Sequence, residues 1–140
     1  MWESFVELLQ NKREYLVTEY ARMMRVKGES KYREDDIKAL EARMALTIDF
    51  FAKSPNPGDS KQIKKFALMA VEARVAEGYD ADSIVQSWEM AGEMFTRLLN
   101  ETLADDPNLA EYIHWVNLIL KTAKLAVAEH AITLIRSKTN

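Results

Sequence analysis

The last third of the chain has the pattern of one long helix. From Pro107 to about Lys138 there is no glycine and no internal proline to interrupt it. Polar residues recur there at steps of three and four, which is the spacing of a single helix face, and most other positions are apolar. About 30 residues make a rod of about 45 Å, longer than the roughly 35–40 Å width of a compact domain of this size. The polar stripe comprises Glu111, His114, Asn117, Lys121 and Lys124.

A helix that is apolar around most of its circumference has to be covered from more than one side. We therefore expect this helix to pack against its own chain on one side and against a second copy on the other. Alanines at positions 123, 126, 128 and 131 would let two helix backbones approach closely, and an isologous contact is the commonest way to bury such a face. Burial entirely within one protomer is the alternative. The predicted dimer interface comprises Trp115, Ile119, Ala123, Ala126, Val127, His130 and Leu134.

Composition indicates a single globular domain over residues 1–140. Apolar residues make up 48% of the chain and charged residues 29%, which are ordinary values. The net charge is −3 and both signs are interspersed, so we expect no nucleic-acid partner. There is no cysteine, which excludes disulfides and thiolate metal sites. The amino terminus lacks a signal-peptide pattern and no apolar run reaches the ~20 residues of a membrane span, so we expect a cytoplasmic protein without membrane contact.

Apolar periodicity predicts four further helices before the last one. Gly28, the segment 54–58, Gly78 and Pro107 separate them. No segment alternates with period two, so we expect no sheet, and the short connections favour packing between consecutive helices. The sequence thus predicts an all-α, five-helix bundle with a long carboxy-terminal helix. The four helices run from about Trp2 to Lys27, from about Arg33 to Lys53, from Asp59 or Ser60 to Gly78, and from a cap at Asp80 or Asp82 to about Leu103.

One pair on the last helix has a spacing used in metal sites. Glu111 and His114 stand three residues apart, as the ligands of one helix do in di-iron bundles. The complete site needs a second such pair, but the residue three before His130 is Val127, which cannot ligate a metal. The favoured interpretation is a solvated polar stripe, and we expect no metal and no cofactor.

Other candidate features also have a plain structural interpretation. His130 would suit a haem axial ligand, or it lies at the edge of the dimer face. No Gly-rich phosphate loop and no nucleophile elbow occurs, so we expect no enzyme activity. Six methionines would suit an adaptable pocket, although ordinary core is the favoured interpretation. These are Met23, Met24, Met44, Met69, Met90 and Met94.

Some runs of sequence are more specific than helix periodicity. One is Ala70-Val-Glu-Ala-Arg-Val-Ala-Glu-Gly78-Tyr-Asp-Ala-Asp-Ser-Ile84, followed by Trp88 and Arg97-Leu98-Leu99. Another is Leu-Leu-x-x-Lys-Arg-Glu-x-Leu, from Leu8 to Leu16. Together they resemble the amino-terminal sensor domain of RsbR-type proteins, the RsbT co-antagonists of the bacterial stressosome. The resemblance covers nearly the whole chain in helix order and length.

The resemblance implies a globin-like fold that generally lacks haem, a homodimer, and a last helix that leads into a STAS domain. It also implies turrets on a stressosome core, whose scaffold proteins sequester or release a switch kinase. No STAS domain lies within residues 1–140, so we expect an excised fragment or a standalone relative. The proximal histidine of a globin lies before its last two long helices, and here the four earlier helices contain no histidine. The alternatives are a globin-like sensor of haem or a small molecule and, less favoured, a metal-dependent enzyme.

Overall fold

A computed structural model describes residues 2–27, 36–53 and 60–139 of the chain. Within these ranges every regular element is a helix, so the fold is all-α as predicted. The predicted loop at 28–32 and the predicted break at 54–58 lie outside the described residues. The described helices are α1 (Trp2–Asn11), α2 (Arg13–Lys27), α3 (Ile37–Lys53), α4 (Ser60–Ala76), α5 (Ala81–Thr102) and α6 (Leu109–Thr139).

The first predicted helix is divided in two at Lys12. The backbone ladder nevertheless continues across it, because Lys12 N donates to Leu8 O at 3.0 Å and Leu16 N donates to Lys12 O at 2.9 Å. The division is therefore a local irregularity within one helical run. An ion pair between Arg13 and Asp49 then joins α2 to α3, and the hydrogen bond from Arg13 lowers the pKa of the Asp49 carboxyl.

Side-chain caps mark the helix starts. Asp80 caps α5, and its side chain accepts a 2.8 Å hydrogen bond from Ser83 N, which confirms one of the two predicted caps. Asp36 accepts from Lys38 N at 3.1 Å before α3, and Asp106 accepts from Asn108 N at 2.7 Å before α6. The predicted cap of α4 at Asp59 or Ser60 lies outside the described side chains.

Packing does not simply follow chain order. Helix α6 packs along both α4 and α5, while α2 packs along α3. Consecutive helices therefore pack closely along their backbones in two cases. Helix α4 meets α3 and α5 more loosely, through side chains such as Phe66, so the predicted close packing of consecutive helices does not extend to α4. Helix α4 turns the buried face of Ile63, Ala67, Val71 and Val75 inward, and its other apolar face lies toward the gap between α3 and α4.

The predicted apolar stripes form the core, with a few exceptions. Phe5, Leu9, Leu16 and Met24 are buried, as are the main apolar positions of α5. Ile37, predicted as core, is exposed because it stands at the first turn of α3. None of the described helices is both long enough and apolar enough to cross a bilayer.

A glycine lets α5 and α6 approach closely. A Cβ built on Gly92 would lie 2.6 Å from Leu120 Cδ2 of α6, which is closer than atoms can pack. The helix tolerates glycine there although it lowers helix propensity by about 1 kcal/mol relative to alanine. The absence of a side chain on Gly92 thus leaves room for the tip of Leu120 between the two helices.

Substitution of Gly92 tests this contact. We expect Gly92→Val to lower the free energy of unfolding by about 1–3 kcal/mol, because the branched side chain overpacks against Leu120. Gly92→Ala is the matched control and should change stability little. Its Cβ clash can be relieved by rotation of the Leu120 tip, and alanine adds helix propensity. Urea unfolding followed by circular dichroism measures both. Equal stability of the two variants would contradict the close approach.

Candidate functional site

The gap between α3 and α4 contains a cavity of about 280 Å³. Residues from α2 and α5 complete its wall. Its volume lies near the lower end of the range for small-molecule pockets in proteins. Leu46 and Met69, both largely exposed, stand at its mouth. The remaining lining residues are Tyr20, Arg43, Met44, Thr47, Phe66, Ala70, Ala73, Arg74, Ile84, Ser87, Trp88 and Ala91.

Aromatic rings close one end of the cavity. Phe50 of α3 stacks on Phe66 of α4, with ring centroids 4.4 Å apart. Phe66 in turn meets the Trp88 ring of α5 edge-on at 5.9 Å. Such stacked and edge-on pairs add stability beyond the area that they bury. Three helices are therefore joined at this end by ring contacts.

Charged and polar groups close the other end. Arg43 of α3 donates from Nη2 to Glu77 Oε2 at 3.0 Å and from Nη1 to the Tyr79 hydroxyl at 3.3 Å. Its guanidinium carbon also lies 5.3 Å from the centroid of the Tyr79 ring. Arg74 Nη2 lies 3.1 Å from the other oxygen of the same carboxylate, Glu77 Oε1. One carboxylate is thus shared by two guanidinium groups.

The turn after α4 positions this cluster. Gly78 has a φ of 97°, the left-handed region that favours glycine. Gly78 N donates to Val75 O at 3.0 Å and Tyr79 N donates to Arg74 O at 3.0 Å, which is the hydrogen-bond pattern of a Schellman cap. The predicted end of the helix at Gly78 is confirmed, and the turn directs Tyr79 back to the end of α4, where it is buried.

Arg74 has hydrogen-bonding capacity that the protein does not use. Its Nε and Nη1 atoms are buried and have no hydrogen-bond partner. An unsatisfied buried donor, especially a charged one, is costly and uncommon in folded proteins. Two hydroxyls also line the cavity, and both hydrogens go to the backbone: Thr47 Oγ1 donates to Arg43 O at 2.9 Å and Ser87 Oγ donates to Ile84 O at 2.6 Å.

The predicted dimer-interface residues mostly face their own chain. Ile119, Ala123, Ala126 and Val127 are buried within the protomer, so their apolar surface is already covered without a partner. The alternative recognised from the sequence, burial of the alanines within one protomer, holds for both alanines of the predicted interface.

The other three members of the predicted interface differ. Trp115 is half-buried and its ring lies 5.7 Å from that of Tyr112. His130 is half-buried, with Nε2 3.4 Å from Glu72 Oε1 of α4. Leu134 lies outside the described side chains.

The structure places the candidate metal ligands on an exposed helix face and the candidate pocket methionines elsewhere, in the cavity wall and the core. Glu111 and His114 are exposed on α6, as a solvated stripe would be, and the described part of the chain holds no group of three or more potential metal ligands. Among the six methionines, Met44 and Met69 line the cavity. The remaining four belong to the core.

Sequence reasoning did not identify the cavity itself. Its signal lies in α4, where Phe66, Ala70 and Arg74 form a second stripe beside the buried stripe. Periodicity alone allows either Val71 or Arg74 at the next core position of this helix, and the structure buries Val71. A stripe that combines an aromatic residue, small residues and an arginine suits a cavity wall better than a closely packed core.

Substitution of Gly78 tests how the turn supports the site. We expect Gly78→Ala to lower the free energy of unfolding by about 1–2 kcal/mol, because a Cβ is strained at positive φ. Gly78→Asn is the matched control and should lose less, since asparagine tolerates this conformation better. Chemical unfolding measures both variants, and an alanine variant as stable as the unmodified protein would contradict the left-handed cap.

Comparison of the chain with protein-family models, with curated proteins and with solved structures gave no match. Two features of the described residues therefore carry the functional inference. One is the cavity with its aromatic and charged ends. The other is the side of α6 that faces away from the core.

Proposed function

We propose that this chain is a non-catalytic, cytoplasmic sensor domain of the stressosome type that forms a homodimer along α6. In this proposal the fold is globin-like, and α6 passes a signal toward a downstream STAS domain. Through that domain the dimer would join the scaffold proteins and influence the switch kinase. Two observations support the proposal: the stretch from Ala70 to Ile84 resembles the stressosome sensor family, and the fold is all-helical.

The exposed apolar stripe of α6 is the observation that carries the proposal. Leu118, Leu125 and Ile132 are 40%, 56% and 44% exposed, although their helix is buried on its opposite side. They recur every seven residues and so lie on one side of the helix, at one of the two positions per heptad that a seam between two helices uses. The expectation of two apolar sides on this helix thus remains the basis for a dimer, but the proposed contact uses these three residues.

Charges beside the stripe suit a second copy of the same helix. Lys121 precedes Leu125 by four residues and Glu129 follows it by four, and both side chains are exposed. In an antiparallel two-fold pair centred on Leu125, each lysine lies at the level of the glutamate of the second copy. The same pairing brings Leu118 to the level of Ile132 of the second copy, so apolar side chains meet as well.

A sensor requires two states that a signal stabilises differently. A dimer along α6 provides such an element, because a small shift or rotation of a long helix moves its far end. The core-facing side of α6 is attached to α4 and α5, so a change in either helix reaches the proposed seam. No part of this mechanism needs a catalytic residue.

Sedimentation equilibrium tests the dimer. We expect the unmodified protein to be dimeric and Leu125→Glu to raise the dimer dissociation constant by more than about tenfold, because a charge would be buried without a partner. Val26→Glu is the matched control, since Val26 is 62% exposed and lies on α2. That variant should leave self-association unchanged.

Two outcomes would contradict the proposal. One is a monomeric unmodified protein at all accessible concentrations. The other is equal weakening by the Leu125 and Val26 variants, which would mean that added negative charge rather than the stripe controls association. Far-ultraviolet circular dichroism of both variants shows whether each is folded, and both sites are exposed enough to accept glutamate.

A further inference from the structure

The cavity has an apolar body and one cationic end. Phe66 and Arg74 both line it and are eight residues apart on α4, which is about 12 Å along the helix axis. The side of Trp88, Met44 and Ile84 is apolar. A molecule that fills this space therefore needs an apolar part and, at the opposite end, a group that suits arginine.

The arginine at one end of the cavity offers hydrogen-bond donors, which suit an acceptor on a ligand. The hydroxyl hydrogens of Thr47 and Ser87 are already donated to backbone carbonyls. Arg74 shares the Glu77 carboxylate with Arg43 and keeps two nitrogens without a partner. Both nitrogens are buried, so a carboxylate on the ligand would accept from this guanidinium once the side chain turns toward the cavity. Charge-assisted hydrogen bonds of this kind are the strong ones.

We propose that the cavity between α3 and α4 binds a small arylalkanoate, with its ring against Phe66 and Trp88 and its carboxylate at Arg74. Access is at the mouth between Leu46 and Met69, whose exposed side chains would cover the bound molecule. Ala70 and Ala73 line the middle of the cavity, and larger residues there would fill it.

This inference rests on the proposed function in one respect: the ligand acts as a signal only if the chain is a sensor domain. Binding is measured separately from self-association, so either can fail alone. The Leu125→Glu variant, in which the dimer is weakened, keeps every cavity residue and should bind the ligand. Binding by that variant, together with loss of the dimer, would show that the site exists independently of the seam.

Titration calorimetry with three matched probes tests the ligand chemistry. The probes are 4-phenylbutyrate, 4-phenylbutan-1-ol and 4-phenylbutylamine, which share a ring and a chain and differ in their end group. We expect the carboxylate to bind at least about tenfold more tightly than the alcohol, because hydrogen bonds to a charged group add about that much. The amine should bind most weakly, since two arginines line the site.

Variants of Arg74 and Ala70 locate the site. Arg74→Gln should reduce carboxylate affinity by about tenfold or more and leave alcohol affinity unchanged, whereas Arg74→Lys should retain part of the preference. Arg97→Gln is the matched control, because it removes the same charge from a half-buried arginine outside the cavity. Ala70→Leu should abolish binding of all three probes and should not lower the melting temperature.

Several results would overturn the inference. One is the absence of binding by all three probes to the folded, unmodified protein. Another is equal affinity for the carboxylate and the alcohol, which would remove the role of Arg74. A third is that Ala70→Leu converts a dimer to a monomer, since the cavity would then hold a side chain of a second copy. Loss of carboxylate binding in Arg97→Gln would attribute the effect to net charge.

Discussion

The arrangement of the bundle depends on the packing of α6 against two helices at once. Its buried face, which includes Val116, Ala123 and Val127, meets α5 and α4. Helix α4 meets α3 and α5 mainly through side chains, such as the Phe66 ring with Phe50 and Trp88, rather than along its backbone. Close backbone packing therefore places α4 on α6, and a space is left between α4 and α3 that side chains bridge at its two ends.

Side-chain length explains why this space stays open. At one end Phe50 and Phe66 stack across the gap, and at the other the long Arg43 side chain reaches Glu77. Between these contacts the wall includes Ala70 and Ala73, which are too short to fill the interval. Protein interiors are otherwise close-packed. Long residues at both ends and small residues in the middle hold this cavity open, so the choice of residues in the sequence accounts for it.

Local signals in the sequence were sufficient to predict the helices, but not to predict which helices pack against one another. Gly78 predicted a helix end, and Asp80 or Asp82 predicted a helix start. Both are observed, the start with Asp80 as the cap, because such signals act through their own backbone neighbours. The irregularity at Lys12 has no such local signal. Apolar periodicity placed Ala123 and Val127 on a buried face, but it could not say whether the same chain or a second copy covers that face. The candidate site depends on long-range pairs such as Arg43 with Glu77, and no spacing rule contains them.

Helix α4 has one face on α6 and the other on the cavity. A molecule that binds two placements of α4 with different affinity, where α6 moves with α4, therefore also changes the free energy of what α6 binds. Thermodynamic linkage makes this relation reciprocal. If occupancy strengthens pairing of the long helices by some factor, then pairing raises affinity for the occupant by the same factor, and the response becomes steeper with protein concentration.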